Sequence, residues 1–440
     1  MQTRFKAECK KRGMWAGGKV ATHQDLSAYF FVRCMELYLR TGGKIAFVMP
    51  YATLTRQQYR GFVTKSVKSE KGPVTVPARR FTEAWLFDES VKNLFNVPSC
   101  VLFAENGEAR KLPATASSFS GELPSRDPTE AQANRALTWK AVPWPTAATA
   151  TSHYTKRFKK GATVFPRRLF VVVPSGVGRF GSDPDVPVVE SRESAQEKKP
   201  WKFLPPITAP VEKAFLRPLY LGESVAPFRL LEAALAVIPW NKDSLLDARN
   251  ARNRGFAHLA AWMTAAERMW GENRKETITL CEKLNFYGKL SAQMPPARLR
   301  VVYAKAGTLA AAAILRDRAG IVENKLYWAE CDSEGEANFL IAVINSETLR
   351  SKIAPDQSRG QWGARDFDKL LINSIPEFDS KNDVHNALAK AAETATLVAK
   401  NVELPEAIHF TRARQRIRAA LREDGITQKI DKSVEKLLAG

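Results

Sequence analysis

Between residues 26 and 50 an apolar periodicity of three and four gives way, across Thr41-Gly42-Gly43, to a continuous apolar run that stops at a proline. Leu26, Tyr29, Phe30, Arg33, Cys34, Leu37 and Tyr38 fall at helical spacing, so the segment reads as an amphipathic helix with that stripe facing a core. Glycine tolerates the left-handed conformation that ends helices, which places the stop at Gly42-Gly43. Lys44-Ile45-Ala46-Phe47-Val48-Met49 then reads as a short strand, closed by Pro50, which has no N–H to give to a ladder. Residues 54–63 read as helix, and Ala84-Trp85-Leu86-Phe87 and Cys100-Val101-Leu102-Phe103 as strands. Helix, strand, helix, strand, strand is the end of an open α/β sheet.

Beyond residue 105 the composition shifts to Ala, Ser, Thr and Pro, and 106–150 is expected to be a linker, because a long structureless loop inside a compact domain is uncommon. Residues 151–378 alternate short strands with helices and are rich in aromatics. After Pro376 the spacing of Ile417, Leu421, Ile426, Ile430, Val434, Leu437 and Leu438 predicts a helical tail over 379–440.

The 440 residues carry a net charge of +21, which points to an anionic partner, nucleic acid being the commonest. The five cysteines are scattered with no C-x-x-C pair, which argues against a zinc site and a disulfide framework and fits a reducing compartment. No apolar stretch reaches the length of a membrane span, and the basic N-terminal residues lack the apolar region of a signal peptide. The expected location is the cytoplasm.

Two motifs invite chemistry. Gly176-Val177-Gly178-Arg179-Phe180-Gly181 has the G-x-G-x-x-G form and follows the apolar run 169–173. A dinucleotide loop needs a helix immediately after it, whose free N–H groups hold the phosphates. Ser182-Asp183-Pro184-Asp185-Val186-Pro187 does not make one, so a glycine-rich hairpin is expected. Asp185, Glu197 and Lys199 match the loose P-D…E-x-K spacing of magnesium nucleases, in which carboxylates hold a metal against a phosphate. Glu197 sits in a polar run that ends in Pro200, so a solvated loop is the preferred reading. The five histidines form no metal pair at helical spacing, and neither a G-x-S-x-G elbow nor a Walker lysine loop occurs.

The basic segments carry more information. Lys156, Arg157, Lys159 and Lys160 are interleaved with His153, Tyr154 and Phe158; Arg167 and Arg168 follow, and Arg249, Arg252 and Arg254 form a second cluster. Cations neutralise phosphates and aromatics stack on exposed bases, so these residues are candidate DNA contacts. A solvated face is the bland alternative for any one cluster. Arg359, Gln361, Trp362 and Arg365 lie in a glycine-containing loop and are candidates for base readout, since arginine and glutamine suit bidentate contact with guanine and adenine edges.

Asp25-Leu26-Ser27-Ala28-Tyr29-Phe30, then Gly42-Gly43-Lys44-Ile45-Ala46-Phe47-Val48-Met49-Pro50, with Thr53-Leu54-Thr55 and Tyr59-Arg60, resembles the segment after the catalytic loop of adenine-specific DNA methyltransferases of restriction–modification systems. The strands at Phe87 and Phe103 resemble the closing antiparallel hairpin of that sheet. Tyr220-Leu221-Gly222-Glu223-Ser224-Val225-Ala226-Pro227-Phe228, Asn324-Lys325-Leu326-Tyr327-Trp328, Glu336-Ala337-Asn338-Phe339-Leu340, Ile344-Asn345-Ser346, Gly363-Ala364-Arg365-Asp366-Phe367 and Ile375-Pro376-Glu377-Phe378-Asp379 resemble the target-recognition domains of the large fused enzymes. The family's glycine-rich cofactor loop and Asn-Pro-Pro-Tyr-like loop have no counterpart. Leu204-Pro205-Pro206-Ile207 and Met294-Pro295-Pro296-Ala297 lack the polar residue before and the aromatic after.

The resemblance therefore implies an α/β chain with a partial class I, Rossmann-like methyltransferase sheet (1–105), the 106–150 linker, a mixed α/β target-recognition domain (151–378) and the helical tail (379–440). It implies the DNA-recognition portion of a bacterial adenine-N6 methyltransferase for restriction–modification or phage defence, inactive alone. S-adenosylmethionine would be the cofactor of the assembled enzyme only. The partners would be double-stranded DNA and an N-terminal methyltransferase half, with no membrane. The chain as a split subunit, as a truncated frame, or as a non-catalytic DNA-binding specificity protein all remain open at this stage, and a nuclease is a further alternative. Phe103 falls where the family has an aromatic that stacks on the flipped adenine; a core strand position is its other reading.

Overall fold

The structure is a computed structural model that describes every residue except 1, 13, 15–25, 56–59, 64–67, 70–71, 74–79, 93, 96–97, 108–111, 146–151, 177–182, 195–196, 308, 355–356, 361–362, 368 and 440. The chain divides into two units, Met1–Thr151 with Lys352–Arg365, and Ser152–Ser351 with Asp366–Gly440.

In the first unit two helices, α1 (Gln2–Lys11) and α2 (Ser27–Tyr38), accompany a five-stranded sheet of β1 (Lys44–Pro50), β2 (Arg80–Lys92), β3 (Ser99–Glu105), β4 (Thr115–Glu122) and β5 (Leu137–Pro143). The spatial order is β1-β3-β2-β4-β5. β3 runs antiparallel to both β1 and β2, whereas β2 and β4 are parallel. Alternation along β1 sends Ile45, Phe47 and Met49 into a core with Phe31, Phe62, Phe81, Leu86 and Leu102. Lys44, Ala46 and Val48 are exposed.

The 106–150 linker is corrected here. β4 and β5 lie within it and extend the sheet, joined through α3 (Glu130–Ala136), whose N-terminus is closed by a capping box of Thr129 and Gln132. These outer strands are largely exposed and need only Ala116 in the buried core, so a Ser/Thr-rich composition suffices. The orientation of α2 also differs from the periodicity reading. Ala28, Phe31, Val32 and Met35 are buried, while Leu26, Phe30, Leu37 and Tyr38 of the expected core stripe are exposed, Tyr38 at 79%.

The second unit holds two larger sheets. A four-stranded sheet is ordered β13-β12-β15-β6, from β6 (Lys159–Lys160), β12 (Arg300–Ala304), β13 (Ala312–Leu315) and β15 (Leu326–Glu330). A six-stranded sheet is ordered β9-β8-β7-β11-β10-β14, from β7 (Val171–Pro174), β8 (Val188–Ser191), β9 (Thr208–Pro210), β10 (Leu216–Tyr220), β11 (Ala234–Val237) and β14 (Ile321–Val322). Gly161 lets the chain beside β6 approach this framework: a Cβ there would stand 2.3 Å from the Glu323 carbonyl oxygen.

Helices α4 (Ala248–Asn253) and α5 (Ala257–Asn273) pack on each other, and α5 buries Leu259, Trp262, Met263, Ala266 and Trp270 in the core of the six-stranded sheet. Helix α6 (Glu334–Asn345), buried from Glu336 to Asn345, packs against β12 and β13 and against α7 (Asp383–Asn401). Helices α8 (Phe410–Glu423) and α9 (Ile426–Ala439) pack against α7. The residues expected as a tail are thus integral to this unit. Arg229 fastens them by donating from Nη1 to the carbonyls of Ala399 and Val402, at 3.1 and 2.7 Å, at the end of α7, where a cation suits the exposed carbonyls.

Candidate nucleic-acid interface

The first basic cluster opens with a helical turn, Tyr154–Arg157, whose Tyr154 is buried. Lys156 and Lys159 are exposed, and the Lys159 ammonium lies 5.5 Å from the centre of the Trp328 ring. Lys160 is half-buried on β6.

Three of the expected DNA contacts have partners within the fold. Arg157 is ion-paired with Glu336 at 2.5 Å and Asp332 at 3.1 Å, and donates to the Glu330 carbonyl. Arg167 pairs with buried Glu323 at 3.5 Å. Arg168 is only 7% exposed, with Nε donating to the Leu204 carbonyl. Guanidinium groups held this way serve the fold before they serve a ligand. Part of the excess charge is likewise internal. Arg300, Arg414 and Arg418 are pushed down to about 10 by burial. Arg414 donates to the Gly222 and Val225 carbonyls, and Arg418 to that of Ala310.

Glu197 departs from the solvated-loop reading. It is buried and accepts the Arg168 backbone N–H at 3.2 Å, closing the 3-10 turn Arg167–Leu169. Asp185 is exposed, and the Lys199 ammonium rests 5.3 Å from the Phe203 ring centre. Among the described residues no group of three His, Cys, Asp or Glu side chains could hold a metal. Burial raises the Glu197 pKa above the ordinary 4.5. A carboxyl raised on folding favours the folded state when protonated, so stability from this group is present below the unfolded value and is lost as pH rises through the folded one. Glu197→Gln removes that proton uptake. The gain in stability of the second unit between about pH 7 and pH 5 should therefore be smaller in the variant, as measured by urea denaturation at each pH.

In sequence the glycine string falls between β7 and β8, which pair antiparallel with Val189 opposite Pro174. Residues 177–182 lie outside the described ones, but the next element is a strand of the same sheet and not a phosphate-holding helix. A strand in that place does not supply the phosphate-holding helix N-terminus of a dinucleotide loop.

The second basic cluster is differently placed. Arg249 and Arg252 lie on α4 and Arg254 closes it; all are exposed. Among the described residues Arg249 and Arg252 have no hydrogen-bonded or ionic side-chain partner, and Arg254 donates to Ser244 Oγ at 3.3 Å. Of the third group, Arg359 and Arg365 lie on two short paired strands, Ser358–Gly360 and Gly363–Asp366, and Gln361 and Trp362 lie outside the described residues.

Phe103 sits on β3, facing away from the helix-packed core. Its ring is 4.9 Å from Trp85, which contacts Phe119 at 5.8 Å, and Phe119 stacks on Phe87 at 5.0 Å. Trp139, opposite Phe119 on β5, is 65% exposed. Composition could not reveal this aromatic face, because its rings come from four strands whose order is set by tertiary pairing.

No family model matches the chain, and no curated protein matches it. Solved structures do. The type IIL restriction-modification enzyme MmeI, determined in complex with DNA, matches 98% of this chain and 52% of its own, with a TM-score of 0.55 and 11% identity. The type IIG restriction endonuclease BpuSI matches 99% and 51% at 12% identity, but with a TM-score of 0.30, too loose to define a common fold. The chain spans about half the length of these structures. Among the described residues no helix is long and apolar enough to cross a membrane. At 11% identity the likeness is one of fold, and the chain has a mixed α/β fold similar to that of a restriction–modification enzyme.

Proposed function

We propose that this chain is the DNA-recognition portion of a bacterial site-specific DNA adenine-N6 methyltransferase. The observation that carries the reading is the end of the first unit's sheet. β2 and β3, which carry Phe87 and Phe103, pair antiparallel, and β3 pairs antiparallel with β1 on its other side; the β2–β3 pair is the closing antiparallel hairpin that the resemblance implies. β1 is an edge strand, and an uncovered edge is a pairing template. Among the described residues, Val48 on β1, Trp85 on β2 and Phe30, Leu37 and Tyr38 on α2 are exposed. Apolar surface on this scale marks an interaction site, and it supports a covering partner that carries the cofactor and Asn-Pro-Pro-Tyr-like loops.

DNA binding is supported by the net charge of +21, by the unpaired arginines of α4, and by a neighbour of similar fold that holds DNA. S-adenosylmethionine belongs to the assembled enzyme in this reading, and no step of methyl transfer is assigned to these residues.

Two measurements test the proposal. Fluorescence anisotropy with a labelled duplex should show affinity falling about a hundredfold between roughly 50 and 200 mM salt if about four phosphates are contacted; affinity independent of salt sinks the DNA reading. Calorimetry with S-adenosylmethionine should register no binding to the chain alone. Micromolar binding would mean a cofactor site outside the elements described above.

A further inference from the structure

Helix α4 has only six residues, too few for independent stability, yet it is firmly held. Asp247 accepts the Asn250 N–H at 2.7 Å, and Glu267 from α5 accepts the Ala248 N–H at 3.0 Å. Ala251 is buried. Gly255, at φ +85°, makes the turn into α5, a conformation that favours glycine. The N-terminus of α5 is closed by Glu212, which accepts from His258 and Leu259. All of these anchors lie behind α4 or at its ends. None of them uses the side chains of Arg249, Asn250, Arg252, Asn253 or Arg254.

Those five side chains make up the outward face, and all are exposed. With the burial of Ala251 fixing the inner side, a step of about 100° per residue puts Arg249 and Asn253 at the centre of that face, Asn250 and Arg254 on one flank and Arg252 on the other. The face carries no carboxylate. Asp247 and Glu267 are committed to the backbone at the start of the helix. A solvated helix surface usually mixes charge signs in i,i+4 pairs, and asparagine is a poor helix former that contributes best at caps. Asn250 and Asn253 occupy neither cap, and among the described residues their amides have no side-chain hydrogen bond.

We propose that α4 is a base-reading helix that enters the major groove of double-stranded DNA, with Arg249 and Asn253 meeting base edges from the centre of the face, Asn250 reaching them from one flank, and Arg252 and Arg254 meeting the phosphates on either wall. The proposal rests on the reading of the chain as a duplex-DNA binder. The chemistry is matched: arginine pairs bidentately with guanine O6 and N7, and asparagine with adenine N6 and N7. The dimensions are matched as well, since an α-helix with its side chains is about 10–12 Å across and the groove is about 12 Å wide.

The test selects bound duplexes from a random-sequence pool with the full chain and with the double variant Asn250→Ala/Asn253→Ala, checked first for an unchanged melting temperature. The parent chain should enrich a motif containing adenine. The double variant should show about tenfold or greater loss of preference for that motif over a scrambled duplex. Arg252→Ala/Arg254→Ala should weaken binding to motif and scrambled duplexes alike and lower the salt slope by about two. An unchanged motif from Asn250→Ala/Asn253→Ala overturns the assignment of α4 while leaving DNA binding intact. A parent chain that binds duplex without enriching any motif also overturns it. So does equal binding to an RNA duplex of the motif sequence, whose major groove is too narrow for side-chain readout. A parent chain that retains no duplex at all fails at the earlier step and takes the DNA reading with it.

Discussion

Replacing Arg157 by alanine is expected to destabilise the second unit by about 3 kcal/mol, while the salt dependence of DNA affinity stays that of the parent chain. Arg157 sits at the junction of three segments. It joins the helical turn Tyr154–Arg157 to Glu330 at the end of β15 and to Glu336 in the first turn of α6. The Glu336 side chain is only 6% exposed and also accepts the Asp332 N–H at 2.8 Å. Removing the guanidinium leaves that carboxylate buried with only the Asp332 N–H and the Tyr154 hydroxyl beside it, and the desolvation of a charge without its counter-ion sets the size of the effect. Replacing the pair together, as Arg157→Met/Glu336→Leu, should recover most of the loss, because an apolar pair incurs no such penalty. Hydrogen exchange on peptides spanning 326–345 reads the second unit without assuming that the whole chain unfolds in one step. Full protection in Arg157→Ala, accompanied by a salt slope lowered by about one, would show instead that the residue spends its charge on a phosphate.

Arg157 also shows where the sequence was legible and where it was not. Its position in a run of cations could be read; its partner, 179 residues away at Glu336, could not. Glu197 fails for the same reason. Its polar neighbours look solvated, but the group that buries it is the turn at Arg168, 29 residues earlier in the chain. Local signals fared better. Gly42, at φ +79°, lies between α2 and β1, and the element that follows the glycine string is an antiparallel strand and not a helix. Periodicity located α2 but chose the wrong face, because the helix is apolar on two sides: Phe31, Val32 and Met35 on one, Leu26, Phe30 and Leu37 on the other. Spacing cannot rank two apolar faces when one of them is left uncovered within the chain. The strands in 106–150 were hidden by composition, although Thr129-x-x-Gln132, the capping-box pattern, was available as a sign of ordered structure.

Trp262→Ala is expected to cost the second unit about 4 kcal/mol and to disorganise α4 without touching it. Trp262 is fully buried at the middle of α5, among the side chains of the six-stranded sheet's core, and its indole N–H donates to the Leu169 carbonyl at 3.1 Å. Truncation removes the ring, leaves a cavity that the surrounding strands can fill only in part, and leaves the Leu169 carbonyl without this donor. Because α4 depends on α5 for the burial of Ala251 and for the Glu267 contact to Ala248, the loss propagates to the proposed reading face. Trp262→Phe separates the two terms: it keeps most of the ring volume and loses the donor, so its cost should be about 1–2 kcal/mol. Hydrogen exchange over 248–273 should show α4 losing protection in step with α5 in the alanine variant and keeping it in the phenylalanine variant. If α4 instead stays protected when α5 does not, its rigidity comes from the Asp247 cap and the Gly255 turn alone, and a core mutation would then leave sequence preference intact in the fraction that remains folded.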